Sequence, residues 1–394
     1  MPVALKPRCQ DCAPTYSSSH FQQKLRNRIE NFAASLFPRK IFGRFEEFIH
    51  PYCLGIFLFI TDGLGLLHET EITDDTAIHY RTRVIFNEAK KRGLKMKALL
   101  FLKYPSNLFT LYTDKGRHLF EGIPGIDPRK MFTRIEDKQY AREILGGMGI
   151  PTPQGQAFKK LKPALAYAHK IQGPWVVKPR AGSLSNHARV NLKTEQQLID
   201  AIQSTLQVTN MFIVETFIEG ELYRATTVGD KLIAVCRREP PRITGDGKHT
   251  VKELIKSFDQ KRRQVLEQVG YKPHKIPPLP PVKEADMNRV LKSGEVFELT
   301  WKTNISHGGN VVDVTSQVHP DNREIFEAIA TKVKIPAIGI DFISPDISKS
   351  WKDTRCGVIE INSLPSIDMH YPPIVQGETH DIAGKILDLF LSSY

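Results

Sequence analysis

Gly339-Ile-Asp-Phe-Ile-Ser-Pro-Asp346 and, after a polar excursion, Gly357-Val-Ile-Glu-Ile-Asn-Ser-Leu-Pro-Ser-Ile-Asp-Met-His370 decide how this chain is read. Two apolar runs, residues 338–343 and 357–361, are each interrupted by acid. The charged, turn-rich stretch between them, 344–356, reads as the connection of two adjacent strands. Asp341 falls in the first strand; Glu360 and Asn362 fall in the second, two apart, and so project from one face. Three oxygen-bearing side chains on one sheet surface suit a hard cation such as Mg²⁺, which takes few ligands from protein and the rest from phosphate and water. Acids alternating on a solvated sheet face would give the same pattern. The rest of the chain decides between the two.

The chain has 394 residues, 41% of them hydrophobic and 25% charged, a composition of two or three globular domains. No apolar run reaches the roughly 20 residues of a membrane span, and the N-terminus lacks a signal-type apolar segment. Five cysteines, Cys9, Cys12, Cys53, Cys236 and Cys356, suggest a reducing compartment, hence the cytoplasm, without a disulfide framework. Cys9 and Cys12 form a lone pair, two ligands short of a zinc site. The net charge of +12 comes with no nucleic-acid motif, so anionic small molecules such as polyphosphates account for it more economically.

Residues 1–50 form a basic extension, expected to be poorly ordered at its start, with one amphipathic helix over 21–36. Residues 51–136 read as a small α/β domain. A strand over 54–60, a helix over 76–92 and a strand over 96–102 would make a crossover unit, followed by a hairpin of 108–112 with 117–120. From 137 a longer α+β domain begins. Its first lobe, 137–220, has helices over 139–148, 163–171 and 194–206 and strands over 175–179 and 212–217. Lys178 ends an apolar strand, where a lysine is costly unless it meets an anion. The loop 180–189 is small, polar and basic, suited to closing over phosphate. The second lobe, 221–394, opens with a hairpin turning at Gly229-Asp230. It continues through Arg237-Arg238-Glu-Pro-Pro-Arg-Ile-Thr-Gly-Asp-Gly247, a helix over 251–269, a proline-rich connection over 272–283, a loop over 303–310 and a helix over 322–333. It ends in the two acid-bearing strands.

Taken in order, Asp137-Lys138, Val177-Lys178-Pro179, Glu215-Thr216-Phe217-Ile218, the Arg-Arg-x-Pro…Thr-Gly-Asp-Gly segment, Asn304-Ile-Ser-x-Gly-Gly309 and Glu360-Ile-Asn362 resemble an ATP-grasp ligase. Within that superfamily residues 137–372 resemble the ATP-grasp domain of cyanophycin synthetase and of bifunctional glutathione synthetases. The resemblance implies two α+β lobes enclosing a nucleotide cleft. It implies that Lys138 and Lys178 contact ATP phosphates, that Glu215, Thr216, Phe217 and Ile218 line the adenine site, and that Glu221 holds the ribose. Arg237 would stabilise the transferring phosphoryl group, with Asn304 bordering the acyl-phosphate. Asp341, Glu360 and Asn362 would hold two Mg²⁺ ions, which Mn²⁺ could replace. The chain departs from the pattern in a glycine-poor loop at 180–189, in Leu222 where the ribose acid usually stands, and in Thr300 where an arginine usually does.

The implied reaction is ATP-dependent ligation of a carboxylate to an amine through an acyl-phosphate. The substrates would be small molecules, amino acids or short peptides, with no nucleic acid or membrane involved and homo-oligomerisation open. Two alternatives stay open: the same fold acting on a non-amino-acid carboxylate or as a phosphoryl transferase, and a non-catalytic nucleotide-binding protein.

Overall fold

A computed structural model describes residues 64–393 apart from 75, 77, 102–103, 128–134, 136, 181–184, 272–275, 277 and 280–281, together with His20, Lys24 and Ile60. Most of the extension over 1–50, its helix, Cys9, Cys12 and the strand expected over 54–60 lie outside these residues; Ile60 is helical.

The first sheet is antiparallel throughout and runs β1 (Leu67–Glu71), β2 (Met96–Phe101), β3 (Tyr104–Thr113), β4 (Gly116–Glu121). The β3–β4 hairpin stands where its alternation placed it. The crossover does not: the strand before the helix is β1, and it lies antiparallel to β2. Its sequence, Leu-His-Glu-Thr-Glu, holds one apolar residue, so no hydrophobic period announces it. Helix α1 (Tyr80–Lys91) starts four residues later than its pattern suggests and buries Val84, Ile85 and Ala89.

Helix α2 (Lys138–Gly147) is started by Asp137, whose carboxylate accepts from the Gln139 amide. It leads into a second sheet in the order β5 (Gly155–Phe158), β8 (Phe212–Thr216), β6 (Trp175–Pro179), β7 (Arg189–Leu192). Helices α3 (Leu161–Ile171) and α4 (Glu195–Leu206) cover it, α4 opening on a Thr194–Gln197 capping box. These elements have an apolar core of their own, built on Leu198, Ile202, Phe212 and Val214.

The third sheet is the largest, in the order β15 (Gly357–Asn362), β14 (Ala337–Ser344), β9 (Glu221–Val228), β10 (Lys231–Glu239), β13 (Asn310–Asp313), β16 (Val375–Gln376). A short pair, β11 (Arg242–Thr244) with β12 (Val296–Glu298), packs by α5 (Val251–Gln268). One face of the large sheet is apolar. It packs on α6 (Pro320–Val333) and α7 (Ile382–Ser392), with Phe326 edge-on to Phe342. The same apolar cluster continues through Ile85, Phe109 and Phe120. The N-terminal sheet is thus fused to the large-sheet lobe, while the β5–β8 lobe stands apart with its separate core.

The two lobes are joined at Gly220, between β8 and β9. Its φ of +151° is a conformation side chains rarely adopt, and a Cβ there would lie 2.6 Å from the carbonyl carbon of Ser344.

Candidate active site

The opposite face of the large sheet is polar. The strand register sets Glu360 beside Asp341, Asp341 beside Arg224, Arg224 beside Cys236 and Cys236 beside Asp313, a row crossing five strands. Directly opposed residues share a face, so Asp341 and Glu360 do point to one side, with Asn362 two residues along.

Asp341 is buried, and its carboxylate is taken up by two guanidiniums. Arg224 donates from Nε at 2.5 Å and from Nη2 at 3.1 Å, and Arg238 Nη1 stands 3.6 Å away. Burial works against the Asp341 charge, but Arg224, Arg238 and Lys138 outweigh it and hold the carboxyl below the usual range. Arg238 also donates from Nη2 to Asn304 Oδ1 at 3.0 Å. Arg224 is absent from the sequence reading. The argument that flagged Lys178, a cation in an apolar strand, applies equally to Glu-Leu-Tyr-Arg-Ala-Thr-Thr-Val and would have found it.

Arg237 points the other way. It pairs with Tyr223 on the apolar face, its guanidinium bound to Glu239 Oε1 at 2.7 Å. Of the two arginines it is Arg238, not Arg237, that the strand register turns to the face of Asp341 and Arg224.

A cleft whose empty space, open solvent included, is about 780 Å³ lies between the second sheet and the large one. Lys138, Lys178, Glu215, Thr216, Phe217, Ile218 and Glu360 all line it, as do Ser185, Asn186 and Ala188 of the 180–189 loop. Ile343, Ile359 and Trp301 add apolar surface. Trp301, in a loop of the second lobe, is a lining residue that spacing could not reveal. Glu221 stands opposite Ser344 and is not among the lining residues.

Both lysines have acid partners. Lys178 Nζ meets Glu215 Oε1 at 2.6 Å, and Glu215 also binds Arg142. Lys138 Nζ lies 3.6 Å from Glu360 Oε1. Asp137 accepts from Arg180 Nε at 2.9 Å, tying the root of the loop to the start of α2. Burial pulls the Asp137 carboxyl up, but the Arg180 bond and charge and the helix amides outweigh it, so the group sits below its ordinary value.

The donor set for a divalent cation is fitted in part. Glu360 and Asn362 present hard oxygens on one face, and the Asn362 Nδ2 is shielded from solvent without a hydrogen-bond partner. Asp341 reaches a cation only by sharing oxygens already held by Arg224 and Arg238. Among the described residues, no helix is long and apolar enough to cross a membrane.

No family model matches the chain. The cyanophycin synthetase of Synechocystis sp. is 30% identical over 349 residues, covering 81% of this chain and 37% of that protein. The glutathione biosynthesis bifunctional protein of Clostridium perfringens is 26% identical over 332 residues, covering 79% of this chain and 41% of its own length. The chain thus spans well under half of either relative. The crystal structure of a bifunctional glutathione synthetase from Pasteurella multocida superposes with a TM-score of 0.52 at 18% identity, over 80% of this chain and 44% of that one. In sequence the chain is similar to cyanophycin synthetases and bifunctional glutathione synthetases, and its fold is that of the ATP-grasp ligases.

Proposed function

We propose that the chain is an ATP-dependent ligase that joins a carboxylate to an amine through an acyl-phosphate. The observation that carries this reading is one cleft walled by Lys138, Lys178 and Glu360, with the Asp341–Arg224–Arg238–Asn304 network on the same sheet face. A substrate carboxylate oxygen attacks the γ-phosphorus, and the bond to the β–γ bridging oxygen breaks, giving acyl-phosphate and ADP. The amine nitrogen then attacks the acyl carbon, and phosphate leaves.

In such a transfer positioning and charge neutralisation do most of the work. Lys138 and Lys178 exchange their carboxylate partners for phosphate oxygens. Residues 215–218 hold the base against Ile343, Ile359 and Trp301. Arg238, partly buried and oriented by Asp341 and Asn304, offers a fixed guanidinium where charge develops on the transferring group. Glu360 and Asn362, with Asp341 beside them, would hold Mg²⁺, which supplies further neutralisation of phosphate charge when bound. The loop 180–189 excludes water from the acyl-phosphate. The substrates are amino acids or short peptides.

ADP release measured over pooled amino acids tests the reading. Release that depends on both a carboxylate and an amine is expected. ADP release that stays at the level of the ATP-only blank across the pools would defeat it.

A further inference from the structure

The turn that carries Asn304 is tightly wound. A single 3-10 turn, Ile305–His307, follows Asn304, whose carbonyl accepts from the amides of His307 at 2.9 Å and Gly309 at 3.0 Å. Gly308 takes a φ of +90°, and a Cβ on Gly309 would lie 2.1 Å from the Thr303 carbonyl oxygen. The Asn304 side chain accepts from Arg238 Nη2 at 3.0 Å, so the position of this turn decides where that guanidinium points.

Helix α5 grips the turn from outside. Arg262, 44 residues earlier in the chain, has a side chain only 4% exposed and donates from Nη1 to the Ser306 carbonyl at 2.5 Å. Asp259, three residues back on the helix, takes Arg262 Nε at 2.8 Å and Nη2 at 2.6 Å, and its other oxygen accepts from Arg263 Nε at 2.9 Å. The approach is close: a Cβ on Gly308 would meet the Phe258 ring at 2.8 Å and Arg262 Cδ at 3.2 Å. Burying a guanidinium with its carboxylate gains little over apolar side chains of the same size, because desolvation offsets the attraction. What the pair supplies is direction. Asp259 locks two nitrogens of the planar fork, and the third is then aimed at a carbonyl in the turn.

We infer that Arg262 is a positioning residue for the ligation: from α5 it fixes the 304–308 turn and, through Asn304, keeps the Arg238 guanidinium aimed at the transferring group. Arg262 is not among the residues lining the cleft. Its helix belongs to a segment with an apolar cluster of its own, built on Ile243, Val251, Leu291 and Leu299, and this contact couples that cluster to the polar face of the large sheet. The inference deepens the ligase reading and rests on it for the step that Arg238 serves.

The test follows turnover and the turn separately, on the full chain. Arg262→Met keeps most of the volume and loses the donor. In steady-state ADP release its kcat should fall about tenfold, with KM for ATP and ADP affinity within about twofold. Arg262→Lys, which keeps the charge but not the fork, should lose about threefold. Arg263→Ala, at a side chain 37% exposed on the same carboxylate, should leave kcat unchanged. Added to Asn304→Ala, Arg262→Met should cost no more than about a further twofold, since a residue acting through another is not additive with it. Hydrogen exchange without substrate should show the His307 and Gly309 amides exchanging about tenfold faster in Arg262→Met, with those of the second sheet unchanged.

Wild-type turnover in Arg262→Met, a fully multiplied loss in the double variant, or unchanged exchange in the turn would overturn the inference. Should Arg262→Met not fold, Arg262→Lys carries the same comparisons. A wild-type chain without carboxylate- and amine-dependent ADP release would instead sink the ligase reading and the catalytic half of the inference with it. Faster exchange in the variant would then leave the clamp on the turn standing.

Discussion

Neighbouring arginines on opposite faces of β10 give the sharpest test of how this site works. Arg238→Ala removes a guanidinium, its side chain 12% exposed, that lies against Asp341 and donates to Asn304. If that guanidinium meets developing phosphoryl charge, turnover falls about 10²–10³-fold, or about 2.7–4 kcal/mol, the scale of one preorganised donor. Asp341 keeps its two bonds from Arg224, so the fold should survive. ATP affinity should change by less than about threefold, because the interaction strengthens mainly in the transition state. Arg237→Ala removes a guanidinium that is 36% exposed and paired only across its own strand end to Glu239. Exposed pairs contribute about 0–1 kcal/mol, so turnover should change by no more than about fivefold. The assay is steady-state ADP release with nucleotide affinity measured in parallel. A damaging Arg237→Ala beside a near-silent Arg238→Ala would refute the face assignment and the mechanism drawn from it.

Lys178→Met should weaken ATP binding by about 1.5–3 kcal/mol, a lost charged hydrogen bond, while Glu215 keeps Arg142 and the lobe stays folded; unchanged affinity would remove Lys178 from the phosphate site. Nucleotide binding should change the emission of Trp301, which lines the cleft, and Trp301→Phe should abolish most of the signal; an undiminished response in that variant would place the base elsewhere. His370 has its folded pKa pushed down from 6.5 to about 3 by burial, then Arg224 and His380. Its unfolded form binds the extra proton, so stability is lost as pH falls from 6.5 towards 3, by up to about 1.4 kcal/mol per unit from this group. Denaturant melts across that window should show the loss, and His370→Gln should flatten it; an equal slope in the variant would assign the acid sensitivity to other groups.

Much of this was legible in the residues. The acid-bearing strands, the hairpin at Gly229 and Lys178 follow from alternation, turn chemistry and charge in an apolar run, whereas Lys138 and 215–218 are singled out by the family resemblance. Antiparallel pairing then fixed Asp341 opposite Glu360. What escaped depends on non-local register. The resemblance selects Arg237, and a two-residue count along β10 from core-facing Leu232 would also turn it away from the core. A bulge between Leu232 and Ala234 adds one residue and reverses the alternation, bringing Arg238 round instead. A single inserted residue carries no mark in composition. Arg224 was within reach of the argument that flagged Lys178, a cation in an apolar strand, but its partner Asp341 is set by the pairing of β9 with β14. The first strand escaped because it is polar, and its pairing with β2 is recorded only in the folded chain.

Gly220 has a mechanical consequence. The segment 215–218 ends two residues before it, and Ser344 of β14 presses against it so closely that a β-carbon would not fit. Where the base is expected to sit, the lobes are therefore pinned backbone to backbone. Loop 180–189 is remote from that fulcrum in the chain, with Arg180 at its root bonded to Asp137 at the start of α2. A small rotation about Gly220 barely changes the gap beside the base but sweeps the loop through a longer arc. Nucleotide would then enter and leave by the phosphate side, and bulk added at position 220 would wedge the jaw open from its axis.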